Sequence, residues 1–182
     1  ASDAGLTPVW SIRDTIITTL TLDGGGIIEV GLPRTGLEPG ELGVVVNTLD
    51  PQSVAVANDF IAQHRLSPTQ RIEVAFNPTS PLTPDTVNAL KRTIDADAGA
   101  FEALALTWTV PWQVAGMSLT SALAFGFDAG FDQNVSPLFG NSTTRPFSEL
   151  GFRPVMLLAG EDAGVVSTVI RRSVASESTF PT

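Results

Sequence analysis

One hundred and eighty-two residues, 43% of them apolar and only 16% charged, match one domain of typical size (about 150 residues) and exclude wholesale disorder. Nineteen acidic against ten basic residues leave a formal net charge of −9, which argues against nucleic acid or an anionic membrane as the main partner. Zero cysteines exclude thiol catalysis, disulfides and cysteine-ligated zinc, and the single histidine excludes a site built from several histidines. Because no apolar run approaches the roughly 20 residues of a transmembrane helix, we expect no membrane insertion.

The amino terminus favours export. The chain begins at Ala1 without an initiator methionine, as a mature protein does after removal of a signal peptide. A trimmed expression product would begin in the same way, and the lack of cysteine is compatible with either origin. We therefore predict an extracytoplasmic location, either periplasmic or secreted.

The first forty residues predict a β-hairpin and a connector. Residues 15–22 and 27–30 are rich in β-branched and apolar side chains, so both predict strands. The acidic and glycine residues at 23–26 supply a turn that tolerates positive φ. A phosphate-binding glycine loop would need a helix directly after the glycines, and residues 27–31 are too short and too β-branched to form one.

From residue 41 onward, strands alternate with helices. The predicted core strands are 43–47, 71–76, 101–110 and 153–159. Two of the helices start with a capping residue followed by proline, at Asp50 and at Thr83. Ser118 is predicted to cap a third helix that continues to about residue 127. A last helix is predicted over 160–176, with acidic residues in its first turn and arginines in its last, as the helix dipole favours.

This alternation implies βαβ units with right-handed crossovers. It predicts a three-layer α/β fold of Rossmann-like type, a mostly parallel sheet with helices on both faces, preceded by the N-terminal β-hairpin. We treat residues 1–182 as one domain, in which residues 1–40 form the hairpin and connector and residues 41–182 the core. Because ligands gather at the carboxyl ends of parallel strands, the candidate positions are 47–50, 77–80, 111–118 and 160–162.

The segment 128–152 shows no periodicity and contains Phe131, Phe139 and Phe147 at intervals of eight residues. Loops of this length are uncommon in compact domains and are often functional. We expect the segment to fold over the sheet edge or to pack against another chain.

Two sequence blocks resemble a known family. Residues 44–65 read VVVNTLDPQSVAVANDFIAQHR, an apolar strand that ends in asparagine before a D-P-x-S helix start, and residues 107–112 read TWTVPW. Together these blocks are similar to an uncharacterised bacterial family of predicted exported proteins, over roughly residues 42–176. The resemblance implies a fold and export, and it implies no particular reaction.

The strand order is also similar to that of the caspase-like and gingipain-like peptidases. Those peptidases place a catalytic histidine after the third core strand and a cysteine after the fourth. Here Pro111 and Trp112 stand at the first position, and Gly160 and Glu161 at the second. The dyad is missing, so the resemblance implies topology without cysteine-peptidase chemistry.

Other catalytic interpretations are incomplete. Residues 116–120 resemble a nucleophile elbow around Ser118, but Thr120 replaces the final glycine, and the base would have to be His64 at the end of the first helix. A carboxylate pair of Asp50 with Glu161 or Asp162 would suit glycosidic or phosphoryl chemistry. Helix capping explains Ser118, Asp50 and the two acidic residues more simply.

One metal site is conceivable. Asp128, Asp132 and Asn134 lie close together in the long loop and offer oxygen ligands to Ca²⁺. The segment lacks the alternating acidic residues and the closing glutamate of a Ca²⁺-binding loop. We expect no cofactor, with Ca²⁺ as the one candidate.

We therefore predict an exported, non-catalytic protein that acts by binding a protein partner or by self-association. The alternative is a carboxylate-based hydrolase, dependent on a divalent cation, at the carboxyl edge of the sheet. Trp112, which follows a proline at a strand exit, is placed to stack on a partner or a sugar. The candidate contact residues are Asn47, Asp50, Trp112, Ser118, Phe131, Phe139, Phe147, Glu161 and Asp162.

Overall fold

A computed structural model of the chain describes residues 15–21, 27–33, 36–127, 138 and 140–177. The chain forms two units, Ala1–Leu37 and Glu38–Thr182. In the first unit, strands β1 (Thr15–Thr21) and β2 (Ile27–Pro33) pair antiparallel, which confirms the two predicted strands of the hairpin. The predicted turn at 23–26 lies outside the described residues.

The second unit alternates strands and helices. Its elements in chain order are β3 (Leu42–Asn47), α1 (Pro51–Gln63), β4 (Arg71–Val74), α2 (Pro84–Ala98), β5 (Ala103–Leu106), β6 (Gln113–Val114), β7 (Met117–Ser118), α3 (Leu119–Phe125), α4 (Pro146–Leu150), β8 (Val155–Leu157) and α5 (Ala163–Glu177). Strands β4, β3, β5 and β8 form one parallel sheet in that order. The predicted α/β fold with a parallel sheet is thereby confirmed.

The sheet separates two apolar cores, because successive side chains of a strand point to opposite faces. Val45 packs with Ile94 and other residues of α2 and α3 on one face. Val44 and Val46 pack with Phe60 of α1 and with α5 on the other face. All three valines are fully buried, and each contributes roughly 2 kcal/mol of burial free energy. The helices therefore form the outer two of three layers.

Three of the four predicted helix starts are confirmed; the last helix, predicted from residue 160, begins at Ala163. Asp50 accepts a hydrogen bond from the backbone N–H of Gln52 (3.0 Å), and Thr83 accepts one from Thr86 (3.2 Å). Ser118 caps α3 by accepting the N–H of Ser121 (3.1 Å). Each capping side chain satisfies an N–H that has no partner inside its helix.

The structure corrects several boundaries. The strand predicted over 101–110 is Ala103–Leu106, because its neighbour β3 pairs only as far as Leu106 opposite Val45. Residues 113–118 form the short antiparallel pair of β6 and β7, which the sequence pattern did not indicate. Helix α4 lies within the segment predicted to be irregular. Among the described helices, none combines the length and apolar content that crossing a membrane requires.

Candidate functional site

The order of the strands places a topological switch point at the carboxyl ends of β3 and β5. After β3 the chain turns to β4 on one side, and it then crosses back to β5 on the other side. In sheets of this kind ligands bind where the connections diverge. We call residues 47–53, 107–112 and 158–162, which follow β3, β5 and β8, the carboxyl edge.

Asn47 ends β3 and is fully buried. Its side-chain oxygen accepts the backbone N–H groups of Leu49 (3.2 Å) and Phe76 (3.1 Å), and its Nδ2 donates to the carbonyl of Phe76 (2.9 Å). These bonds fix the turn after β3 and join it to the end of β4. This candidate residue therefore holds the carboxyl edge together and has little capacity left for a ligand.

Two buried hydroxyls continue this network. The N–H of Asn47 donates to Ser53 Oγ (2.9 Å), and Ser53 Oγ lies 2.7 Å from Thr107 Oγ1. Thr107 donates its single hydroxyl proton to the carbonyl of Val45 (3.1 Å), so Ser53 is the donor to Thr107. Neither Ser53 nor Thr107 was among the site residues predicted from the sequence. The only signal for Ser53 was its place three residues after the helix cap in the D-P-x-S run.

Gln52 joins three loops of the carboxyl edge. Its Nε2 donates to Thr109 Oγ1 (3.3 Å) and to the carbonyl of Gly160 (3.2 Å). Thr109 Oγ1 in turn donates to that carbonyl (3.0 Å) and receives the N–H of Gly160 (3.3 Å). A Cβ at Gly160 would lie 2.7 Å from a methyl of Val166, so a glycine is needed at this junction.

The candidate acidic residues have structural partners or face solvent. Asp162 accepts the N–H of Val165 (2.9 Å) at the start of α5, as Asp50 does for α1. Glu161 is exposed. Within residues 36–127, 138 and 140–177, no group of three or more histidine, aspartate and glutamate side chains lies in an arrangement that could hold a metal ion. The Ca²⁺ candidates Asp128, Asp132 and Asn134 lie outside the described residues, as do Phe131 and Phe139.

The only histidine of the chain is far from the carboxyl edge. His64 lies at the C-terminus of α1, with its ring 4.4 Å from that of Phe60. The thirteen residues of α1 carry it about 20 Å from the edge where the helix begins. Ser118, at the start of α3, has its Oγ within hydrogen-bond distance of Ser121 and Thr120. These contacts agree with helix capping and give no support to a serine nucleophile.

Large apolar side chains stand exposed on the same loops. Leu49, after β3, is 59% exposed; Val110 and Trp112, after β5, are 47% and 54% exposed. By contrast, Trp108 is fully buried and packs edge-on against Phe76 at 5.1 Å. We call Leu49, Val110 and Trp112 the carboxyl rim. These residues follow two neighbouring strands of the sheet, and exposed apolar residues on adjacent loops are candidates for an interaction surface.

At the amino ends of the strands, Glu102 anchors α4. Its buried carboxylate accepts the N–H groups of Phe147 (2.8 Å) and Ser148 (3.1 Å) and the hydroxyl of Ser148. Arg145 lies 3.9 Å from the same carboxylate. Arg145, the N-cap residue of α4, makes no side-chain cap. The N–H groups of Phe147 and Ser148 are instead accepted by Glu102, which precedes β5.

Arg153 is buried beside this anchor. It pairs with Asp95 (2.8 Å), donates to the carbonyl of Phe101 (2.8 Å) and lies 3.5 Å above the ring of Phe147. Burial lowers the pKa of Arg153, and the nearby carboxylates of Asp95 and Glu102 oppose that shift. The candidate residue Phe147 is therefore half-buried beneath a cation.

Comparisons with protein-family models, with curated proteins and with solved structures gave no match to this chain.

Proposed function

We propose that this chain is a non-catalytic binding protein and that its carboxyl rim contacts a protein partner. One observation carries the proposal: polar and apolar side chains at the carboxyl edge have separate roles. Asn47, Ser53 and Asp50 are engaged in hydrogen bonds that hold the loops, whereas Leu49, Val110 and Trp112 stand in solvent. A surface of this kind recognises apolar groups of another molecule.

Trp112 is the main contact in this proposal. Tryptophan is enriched among the interface residues whose truncation costs most, about 2 kcal/mol or more. Its side chain is 54% exposed, so a large apolar area is available for burial. Leu49 and Val110 extend the apolar surface along the loops that follow the two central strands.

The hydrolase alternative has less support. It needs Asp50 paired with Glu161 or Asp162, yet Asp50 and Asp162 each accept the N–H of their own helix, a contact worth about 1 kcal/mol. The binding proposal leaves both caps in place. Export, the likeness to the bacterial family of exported proteins and the caspase-like topology remain predictions that accompany it.

A random peptide library displayed on phage and panned on the immobilised wild-type protein tests the proposal. Recovered peptides should bind the Trp112→Ser variant about 30-fold more weakly, the loss that corresponds to 2 kcal/mol. Leu150→Ser, at an exposed apolar position on α4, is the matched control and should leave binding unchanged.

Two results would overturn the proposal. One is equal binding of the recovered peptides to the Trp112→Ser variant and to the wild type. The other is turnover of chromogenic esters, phosphate esters or glycosides that Asp50→Asn abolishes, because asparagine keeps the helix cap and removes only the carboxylate.

A further inference from the structure

Among the strands that the structure describes, β8 is the terminal strand of the parallel sheet and has only β5 as a neighbour. Pairing with β5 uses the carbonyl of Pro154, which accepts the N–H of Leu104 (2.9 Å), and the N–H of Leu158, which donates to Leu106 (2.8 Å). Backbone groups alternate in direction along a strand, so those of Val155 and Leu157 point away from β5. An edge of this kind is a template for pairing with another strand.

Apolar side chains flank this open edge. Met156 of β8 is 45% exposed, and Val165 and Val169, one turn apart on α5, are 46% and 59% exposed. Beside them lies a groove of about 440 Å³ between α1, β8 and α5. Phe60 and Ile170 line the groove together with Met156 and Val169. We call the edge of β8 together with Met156, Val165 and Val169 the β8 face.

The charges on α5 are arranged symmetrically about its middle. Asp162 at the cap, Val165, Val169 and Arg172 follow one another at spacings of three, four and three residues, so they share one stripe of the helix. Val165 and Val169 lie at equal distances in sequence on either side of Ser167, and Asp162 and Arg172 do the same. The stripe is therefore acidic at one end, apolar in the middle and basic at the other end.

A stripe of this kind is complementary to itself. When two copies of α5 lie antiparallel about a two-fold axis near Ser167, Asp162 of each copy faces Arg172 of the other, and Val165 faces Val169. The same two-fold axis also places the β8 strands of the two copies antiparallel. The outward backbone groups of Val155 in one copy then lie opposite those of Leu157 in the other. Isologous contacts of this sort are the commonest form of self-association.

We propose that the β8 face is the contact surface for a second copy of this chain, giving a two-fold dimer with a continuous sheet of eight strands. Strand β8 pairs with β8, α5 packs against α5, and the charged ends of the stripes fix the antiparallel orientation. This surface is separate from the carboxyl rim, so the dimer does not depend on the proposed function.

Sedimentation equilibrium of the full chain tests the proposal, with a dimer expected at twice the 19.1 kDa chain mass. Val169→Arg should give a monomer, because it places a charge in the apolar middle of the stripe. Leu49→Arg is the matched control: both positions are 59% exposed, and the control should remain dimeric.

A second pair of variants tests the orientation. Arg172→Glu should raise the dissociation constant about 10-fold, because the change removes and reverses two symmetric ion pairs. Arg171→Glu changes the net charge equally but lies on another side of α5, so it should leave the constant unchanged. Asp162→Asn keeps the cap and should weaken the dimer less than Arg172→Glu.

A wild-type chain that sediments as a monomer overturns the proposal. So does a Val169→Arg variant that remains dimeric, because its charge would then be tolerated at the supposed centre of the contact. Equal effects of Arg172→Glu and Arg171→Glu would also overturn it, since they would show a dependence on net charge alone.

Discussion

At the carboxyl edge, the buried side chains of Asn47, Ser53 and Thr107 satisfy backbone groups at the point where strands end. At the β8 edge, no strand of the described chain lies beyond Val155 and Leu157, and apolar side chains are exposed in place of buried polar ones. Polar residues at the ends of parallel strands can thus serve the fold alone. Both surfaces proposed here as contacts, the carboxyl rim and the β8 face, are instead exposed and apolar.

The largest loss of stability is expected from a substitution that removes the hydrogen bonds of Asn47 at the carboxyl edge. Asn47→Leu should lower the free energy of unfolding by about 4 kcal/mol, because it removes three hydrogen bonds. The N–H and the carbonyl of Phe76 would each lose the Asn47 bond in a buried site, and the N–H of Leu49 would lose its acceptor in a partly buried one. Urea denaturation of both proteins measures the difference. Asn58→Leu, at an exposed position on α1, is the control; equal stability of the two variants would contradict the role given to Asn47.

A smaller effect is expected from the hydroxyl network. Thr107→Val keeps the side-chain volume but removes the bonds to Ser53 and to the carbonyl of Val45, and it should cost about 1–2 kcal/mol. The carbonyl still receives the backbone N–H of residue 107 (3.2 Å), so the cost stays below that at Asn47. Thr93→Val on the exposed side of α2 should change stability by less than about 0.5 kcal/mol. A loss of the same size in both variants would show that the buried bonds contribute nothing.

The smallest effect is expected at the carboxyl rim. Leu49→Ser should change the free energy of unfolding by less than about 0.5 kcal/mol, because its side chain is 59% exposed and supports no core. Leu104→Ala in β5, where the side chain is almost fully buried, should cost about 3 kcal/mol in the same urea titrations. A large loss of stability in Leu49→Ser would contradict this prediction, because it would show that the Leu49 side chain supports the fold.

Elements with local signals could be predicted from the sequence. Asp50, Thr83 and Ser118 cap helices through bonds to residues only two or three positions away, so the short sequence pattern contains the whole interaction. The core strands were located for a similar reason, since their apolar runs reflect burial on both faces. Apart from β3, which matches its prediction within one residue, the strands are shorter than predicted, because the pairing partner and not the apolar run sets the length of a strand.

Elements that depend on distant residues were missed. Helix α4 has no capping side chain at its own start, because its N–H groups are accepted by Glu102, 45 residues earlier in the chain. The hydrogen bond between Ser53 and Thr107 joins residues 54 positions apart, and no local sequence pattern predicts it. The same reasoning applies to the candidate site. Trp112 was predicted to follow a strand directly, but β5 ends at Leu106, six residues earlier, and Trp112 precedes β6. The full occupation of the Asn47 side chain depends on Phe76, 29 residues later.

The side-chain amide of Gln52 limits the conformational freedom of the loops at the carboxyl edge. Because it bonds to both Thr109 and Gly160, the loops after β3, β5 and β8 share one fastening point. Loops that are already ordered lose little conformational entropy on association, so more of the contact energy is retained as affinity. Under the proposed function, the carboxyl rim therefore meets a protein partner with loops that are already ordered.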